Sequence, residues 1–238
     1  MMKNQPDKWS VYMMAGVASS PDFMNEFRDG WERRFQDAGH AVRVHIFYPY
    51  GDWSRSMVRQ LREVRSDLMA GFTRRKGSVG GKRAYEAIKS SYDGGNLLIV
   101  GHSAGGLAGV HAAHMLAEEG HEEPVRVVKI GSPKCTIPLT ARDSVLIVDA
   151  VDGRGKVSDP ISRLGTWAGW ERGRFGLPRR NSRLFAPASI THVSIVGGHA
   201  DYFRSSHPFI GEDGQSNMQL VSDVIWSWLQ PTGERIPE

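Results

Sequence analysis

The feature that most constrains the fold is one segment in the middle of the chain, where an apolar run leads directly into a serine flanked by glycines. Residues 96–105 read Asn-Leu-Leu-Ile-Val-Gly-His-Ser-Ala-Gly, with Ser103 near the end, and a stretch of small and apolar residues follows. A serine at such a strand-to-helix turn has a strained backbone that lifts its hydroxyl above the sheet, and the residues two before and two after it must be small. Gly101 and Gly105 meet that requirement. The segment predicts that Ser103 is a nucleophile; the competing interpretation is a coincidental glycine-rich turn.

Further apolar runs rich in β-branched residues alternate with helical patterns, which is typical of a parallel sheet covered by helices on both faces. A chain of 238 residues is within the range of one domain that buries its own core. We therefore predict a single domain over residues 1–238 with an α/β fold and a mostly parallel sheet. The six predicted strands are residues 11–15, 42–47, 96–100, 125–130, 145–148 and 192–196.

Helical patterns separate these strands. Residues 23–38 and 218–229 each predict an amphipathic or covering helix, and between the second and third strands five apolar residues recur at helical spacing. We expect that stripe to face the core and the arginines on the other side of the helix to be solvated. The stripe consists of Met57, Leu61, Val64, Leu68 and Phe72.

A serine hydroxyl is a weak nucleophile, so Ser103 needs a histidine base that is itself oriented by a carboxylate. His199 follows the last predicted strand in Val-Gly-Gly-His-Ala-Asp, a flexible turn at a strand end where active-site loops converge. We predict His199 as the base. His207 is the reserve candidate, whereas His192 begins the predicted strand and so lies at the wrong end of the sheet.

Three aspartates could orient that histidine. Asp149 directly follows the run 145–148, where strand alternation would aim its side chain into a sheet face. Asp152 lies three residues further on, in a loop ending at Gly153, at the edge where parallel strands deliver catalytic groups. We favour Asp152, with Asp149 as the alternative and Asp159, next to a proline, third.

A tetrahedral oxyanion needs two backbone N–H donors. One is expected from the residue after the nucleophile, Ala104, and the other from the loop after the first strand, which reads Met-Met-Ala-Gly-Val-Ala over residues 13–18. Val17, which follows the glycine, is the predicted second donor.

Several other functions are not predicted. The excess of 30 basic over 26 acidic residues is modest and comes without a nucleic-acid recognition motif. His111 and His114 are spaced like metal ligands on a helix but lack a third ligand nearby, so no metal is predicted, and no cofactor. Gly80-Gly81-Lys82 resembles part of a phosphate loop, but Lys76 and Arg83 stand where that motif has glycine and serine or threonine.

The single cysteine, Cys135, cannot form an internal disulfide, and no apolar run is long enough for a membrane helix. We therefore expect a cytoplasmic protein without an integral membrane segment. Lys3 and Lys8 before the apolar run 11–18 faintly resemble a signal peptide. The fold prediction needs that same run as a core strand and oxyanion loop, and is preferred.

Residues 153–189 form the least regular part of the sequence, with eight arginines and lysines against two acidic residues, and with Trp167 and Trp170 among them. The segment could be a small cap or lid. The alternative is a surface loop with one covering element.

The arrangement resembles the α/β-hydrolase superfamily, especially its small lipase-like members, over roughly residues 10–230. Val11-Tyr-Met-Met-Ala-Gly-Val is similar to the oxyanion segment that those enzymes write as His-Gly-X, with Ala15 in place of the histidine, and Gly131-Ser132-Pro133 is similar to the Gly-Ser-Pro that ends a strand in many lipases. The resemblance implies hydrolysis of a small-molecule or lipid ester through an acyl-enzyme, with the acid a few residues past the strand, as Asp152 would be. Thioester hydrolysis or acyl transfer would use the same residues, and a non-catalytic binding protein could share the scaffold.

Overall fold

Six parallel strands form the central sheet of the computed structural model, which describes residues 7–73, 78–121, 123, 125–173 and 176–230. Their order across the sheet is β2-β1-β3-β4-β5-β8, and every neighbouring pair is parallel. The predicted α/β fold class is therefore confirmed. The strands are β1 (Lys8–Met14), β2 (Ala41–Phe47), β3 (Asn96–His102), β4 (Arg126–Ile130), β5 (Val145–Ala150) and β8 (Ser189–Val193).

Helices cover both faces of this sheet. On one face α1 (Asn25–Asp37) and α5 (Asn217–Leu229) pack over one cluster of buried side chains, and the helices α2 (Met57–Thr73), α3 (Val79–Ser91) and α4 (Ala104–Glu118) lie over a second. No helix among the described residues is both long and apolar enough to span a bilayer.

Strand alternation explains why the strand sequences are apolar almost throughout. In β1, Val11 and Met13 belong to the first buried cluster, whereas Tyr12 and Met14 belong to the second. Because successive side chains point to opposite faces, a strand covered on both sides must be apolar at every position. The run that resembled a signal peptide is thus a central strand, hydrogen-bonded to β2 and β3.

The stripe on α2 departs from the prediction. Val64 and Leu68 are partly buried against the second cluster, but Met57 and Leu61 are 56% and 53% exposed. The side chain of Phe72, the last member of the stripe, lies outside the described residues. Among the helix residues whose side chains are described, the fully buried positions are polar instead: Gln60 and Asp67.

The buried carboxylate of Asp67 accepts hydrogen bonds from the backbone at the start of the next helix. Its carboxylate accepts hydrogen bonds from the N–H groups of Val79 (2.6 Å) and Gly80 (2.8 Å), and from the hydroxyls of Tyr50 (2.8 Å) and Ser78 (2.7 Å). These N–H groups begin α3 and have no acceptor within that helix. An internal carboxylate therefore occupies the place where a phosphate loop would hold an anion, which agrees with the rejection of that motif.

Two short antiparallel strands, β6 (Gly169–Arg172) and β7 (Pro178–Asn181), form a separate ribbon within the irregular segment 153–189. A role of this segment as a lid stays a prediction.

We predict that Asp67→Ala lowers the free energy of unfolding by about 3 to 5 kcal/mol, because it leaves two buried N–H groups and two buried hydroxyls without their acceptor. Urea denaturation measures the change. Asp29→Ala, which removes a half-exposed carboxylate paired with Arg28, is the control and should change stability by less than about 1 kcal/mol. Equal effects of the two substitutions would show that the buried network contributes nothing.

Candidate active site

Ser103 lies in the sharp turn between β3 and α4, with backbone angles φ 55° and ψ −130°. A side chain attached to Gly101 would come within 2.3 Å of the Gly106 nitrogen, and one on Gly105 within 2.1 Å of the Met14 carbonyl oxygen. Glycine is therefore required at both flanks because backbone atoms occupy the space. Ser103 is also the N-cap residue of α4, yet its side chain makes no capping hydrogen bond. Its hydroxyl is left available for other chemistry.

The loop after β1 lies directly against this serine. A Cβ atom on Gly16 would come within 2.6 Å of the Ser103 Cβ and 3.0 Å of its Oγ. The backbone of the next residues is fixed from α2, since the N–H of Ala18, in a left-handed conformation at φ 55°, donates to Oε1 of Gln60 at 3.1 Å. Val17 lies between these two fixed points. Ala104 is the first residue of α4, so its N–H has no acceptor within the helix.

His199 lies in the loop between β8 and α5, and its Nδ1 is 2.7 Å from Oδ2 of Asp159. The side chain of His199 is 27% exposed, whereas that of Asp159 is 1% exposed. The carboxylate that contacts His199 is therefore Asp159, the third choice of the sequence analysis, and the expectation that Asp152 fills this position is wrong on the geometry.

The chain path after β5 explains the correction. The segment turns back on itself: Asp152 N–H donates to the Lys156 carbonyl, Val151 pairs with Val157, and Ser158 N–H donates to the Ala150 carbonyl at 2.8 Å. Asp159 is thus returned to the carboxyl end of the strand that it left nine residues earlier. Asp152 lies at the exposed tip of this turn, where its Oδ1 accepts the N–H groups of Arg154 and Lys156, both at 3.0 Å.

The other alternative, Asp149, is buried in β5 as the alternation predicted. Its Oδ1 accepts the hydroxyl of Ser162 at 2.6 Å, and burial raises its pKa above the usual range. The structure gives Asp149 no hydrogen bond to His199, both of which are described.

Asp159 is surrounded by donors. Oδ2 also accepts the Tyr202 hydroxyl at 3.0 Å, and Oδ1 accepts the N–H of Ile161 at 2.8 Å. Burial alone would raise the pKa of Asp159, but the hydrogen bond and charge of His199, with the Ile161 and Tyr202 donors, outweigh it and hold the pKa below its ordinary value. Asp159 is therefore an acceptor-only carboxylate at neutral pH, so the proton between the two groups belongs to Nδ1 of His199.

Tyr202 links this carboxylate to the sheet. Its hydroxyl donates to Asp159 and accepts the N–H of Ala150 at 3.0 Å, and its side chain is fully buried. Gly131, after β4, has φ 52°, and a Cβ there would come within 2.6 Å of the Asp159 Oδ2 and 2.7 Å of the Tyr202 ring. The glycine of Gly-Ser-Pro thus makes room for the carboxylate and for the tyrosine that supports it.

His102, next to the nucleophile, fixes the position of His199. Nε2 of His102 is 2.8 Å from the carbonyl oxygen of His199, and the two imidazole rings stack with centroids 4.7 Å apart.

Asn217, at the start of α5, holds both ends of the same loop: its Oδ1 accepts the Val196 N–H, and its Nδ2 donates to the carbonyls of Val196 and Asp201. The loop of His199 is thereby fixed against the turn that carries Ser103, although two glycines precede the histidine. Ser103 and His199 make no direct hydrogen bond in the structure, a bond that is often long in unliganded hydrolases.

His102 is neutral in this position. Burial, and then the nearby charge of His199, lower its pKa to about 3. Since a carbonyl oxygen only accepts, Nε2 of the neutral ring carries the proton and donates it to His199. Phe23, Tyr202 and Phe203 pack around the imidazole, with ring centroids 5.1 to 5.8 Å away.

Of the residues predicted for the site, Ala104 and the loop of Val17 lie next to Ser103, His199 stacks on the neighbouring His102, and the carboxylate that contacts His199 is Asp159 instead of Asp152. His207 is exposed on its loop, and His192 lies within β8 rather than at its start, with an exposed side chain. The roles of His102, Tyr202 and Asn217 were not predicted, because their contacts join residues far apart in the chain. For His102 the sequence does offer one signal, because it occupies the variable position inside the glycine-flanked serine motif.

Sheet order and the serine at the turn after a central strand together identify the α/β-hydrolase fold. The sequence matches no protein-family model and no curated protein. The structure is similar to that of YbtT, a type II thioesterase from the yersiniabactin NRPS/PKS biosynthetic pathway, with 12% identity over 83% of this chain and 88% of that one, at a TM-score of 0.41. It is also similar to a Trichoderma reesei cutinase in complex with a phosphonate inhibitor, with 15% identity over 60% and 61% of the two chains, at a TM-score of 0.31. The fold assignment rests on the sheet and the turn rather than on these similarities.

We predict that His102 makes the stability of the protein depend on pH between about 3 and 6.5. Because its folded pKa of about 3 is below the unfolded value of 6.5, the unfolded chain binds one more proton in that window. Stability is therefore complete above pH 6.5 and falls as the pH is lowered, by up to about 1.4 kcal/mol per pH unit. His102→Gln removes this proton, so urea denaturation at several pH values should give a flatter dependence than in the wild type. Identical slopes would contradict the assignment of a buried neutral His102.

Proposed function

We propose that the chain is a serine hydrolase that cleaves carboxylic esters, with Ser103 as nucleophile, His199 as general base and Asp159 as the orienting acid. The observation that carries the proposal is the hydrogen bond between Asp159 and His199. The loop of His199 is also bonded to His102, the residue directly before Ser103. A charged acceptor on Nδ1 leaves the lone pair on Nε2, which is the atom that must take the proton of the serine hydroxyl.

In the proposed first step, Ser103 Oγ attacks the acyl carbonyl while Nε2 of His199 accepts the hydroxyl proton. The imidazolium that forms is stabilised by the buried carboxylate of Asp159, whose own charge is supported by the donors of Tyr202 and Ile161. His199 then protonates the leaving alcohol, and the acyl group remains as an ester on Ser103. In the second half, His199 activates water by the same proton transfer, and the acid is released.

The oxyanion of both tetrahedral intermediates is proposed to accept the N–H groups of Ala104 and Val17. Two observations support these donors. Ala104 is the first residue of α4, so its N–H has no partner within that helix. The N-terminal end of the helix dipole, which favours negative charge, lies at the same place. The loop of Val17 is in contact with Ser103 at Gly16 and is fixed at Ala18 by Gln60.

The first prediction from this proposal is that a fluorophosphonate probe labels the wild-type protein on Ser103, because the probe reacts only with a serine activated by its base. Ser103→Ala should not be labelled, whereas Ser132→Ala, the matched control, should be labelled like the wild type. Mass spectrometry of the labelled peptide identifies the site. An unlabelled wild type with intact fold would make the chain a non-catalytic member of the fold, and hydrolysis of acyl thioesters but not of matched oxygen esters would replace the proposed substrate class.

The second prediction separates the three aspartates. Asp159→Asn should lower the acylation rate by up to about 10⁴-fold, because the amide donates to Nδ1 and favours the wrong imidazole tautomer. Asp152→Asn and Asp149→Asn are the matched controls and should stay within about tenfold of the wild type, since neither carboxylate contacts His199. Stopped-flow release of nitrophenol from an activated ester gives the rates. A collapse in Asp152→Asn with a nearly normal Asp159→Asn would restore the original assignment.

A further inference from the structure

The ribbon formed by β6 (Gly169–Arg172) and β7 (Pro178–Asn181) has two different faces. Its inner face lies on the protein: a Cβ atom on Gly169 would come within 2.4 Å of the Phe185 ring. On the same face Glu171 is half-buried and accepts a hydrogen bond from Asn181 at 3.1 Å. The outer face is defined by the alternation of the strands, and it carries Trp170, Arg172, Pro178 and Arg180.

Trp170, the aromatic side chain of this outer face, is 70% exposed. In the register of the ribbon Trp170 stands directly opposite Arg180, so an indole and a guanidinium project side by side. An exposed indole beside guanidinium groups can bind a partner that offers both apolar and anionic groups.

The charge of the ribbon region is uncompensated. Arg172, Arg179, Arg180 and Arg183 are exposed, and none of them makes an ion pair with a residue that the structure describes. Glu171, the acidic residue of the ribbon, points to the inner face and is engaged by Asn181. The outer face therefore presents positive charge with no internal carboxylate to neutralise it.

The base of the ribbon is fixed to the edge of the sheet that carries the candidate active site. Phe185 N–H donates to the Trp167 carbonyl, and Ile137 N–H donates to the Phe185 carbonyl. Lys134, a few residues past the carboxyl end of β4, pairs with Gly165 just before the ribbon. Ser103 follows the carboxyl end of the neighbouring strand β3.

We propose that the outer face of the ribbon docks the protein on an anionic lipid bilayer, with Trp170 entering the interfacial region and Arg172 and Arg180 binding lipid phosphates. Tryptophan favours the headgroup level of a bilayer because its ring is apolar and its N–H is polar. Arginines near an anionic surface add electrostatic attraction and pair with phosphate oxygens. The proposal concerns binding and stands apart from the proposed ester hydrolysis.

Size favours a bilayer over an acidic protein as the partner. The ribbon is small: two strands of four residues extend about 13 Å along the strands and about 10 Å across them, from a rise of about 3.3 Å per residue and a strand spacing of about 4.8 Å. A specific protein interface buries about 1,000 Å² or more, whereas a few protruding apolar and cationic side chains are sufficient for reversible binding to a lipid surface.

The test is sedimentation with vesicles of phosphatidylcholine alone and of phosphatidylcholine mixed with phosphatidylserine, at low and high salt. The full chain is used with Ser103→Ala, so that the vesicle lipids stay intact and a failure to bind is read separately from a failure to hydrolyse esters. We expect binding to the anionic vesicles that weakens steeply with salt.

Arg172→Gln with Arg180→Gln should weaken this binding about 25-fold, since each cation near an anionic surface contributes about fivefold. Trp170→Ala should weaken it about tenfold through lost apolar burial. The matched controls are Arg62→Gln with Arg65→Gln on α2, and Trp53→Ala, which is as exposed as Trp170 but lies elsewhere. These should bind like the parent, and all the ribbon variants made with Ser103 intact should keep the parent rate on a soluble ester.

Three outcomes would overturn the proposal. The first is the absence of binding to anionic vesicles, and the second is equal weakening by the ribbon variants and their controls. The third is salt-sensitive binding to polyglutamate that exceeds binding to the vesicles and does not require Trp170, which would assign the surface to an acidic protein.

Discussion

The backbone conformation of Ser103 is the constraint on which the rest of the site depends. A non-glycine residue at positive φ costs about 1 to 3 kcal/mol and persists only where its surroundings determine it. Here Gly101 and Gly105 are packed against backbone atoms of Gly106 and Met14, and Gly16 is packed against the side chain of Ser103 itself. The close approach of β1, β3 and α4 both forces the turn and brings the loop after β1 to the serine. Ser103 and the two N–H groups proposed as oxyanion donors therefore belong to one packing unit, and a side chain at any of the three glycines would disturb it.

The loop of His199, the proposed base, is fixed by side chains rather than by backbone packing. Its loop contains Gly197 at φ 98° and Gly198, so the chain alone gives His199 little restraint. His102 ties the His199 carbonyl to the nucleophile turn, and Asn217 ties the two ends of the loop to α5. Because His102 directly precedes Ser103, any movement of the turn moves the anchor of the base with it. A neutral imidazole suits this task, since a second cation stacked on His199 would oppose the imidazolium that the proposed mechanism requires.

Those parts of the candidate site that depend on local signals could be predicted from the sequence. Ser103 is predicted from its glycines and strand, and Val17 and Ala104 are predicted from their places beside a strand end and a helix start. Asp159 could not be found in this way, because its position depends on a return of the chain through Val151, Val157 and Ser158, and the nearer Asp152 is used in making that turn. The prediction that the apolar stripe of α2 faces the core is partly wrong for a related reason. The helix buries Gln60 and Asp67 instead, because they bind backbone groups of other segments, and hydrophobic periodicity does not reveal such contacts.

Two aspartates lie near the carboxyl end of β5, and their surroundings shift their pKa values in opposite directions. Asp149 is buried with one hydroxyl donor, and its pKa is raised; Asp159 has His199, Tyr202 and a backbone N–H as donors, and its pKa is lowered. Each charge opposes the other, so the group with more donors keeps its charge more readily. The return of the chain after β5 thus does more than bring a carboxylate to His199. It brings the one that remains an acceptor, and this fixes the proton on Nδ1 and leaves Nε2 with the lone pair that the proposed mechanism requires.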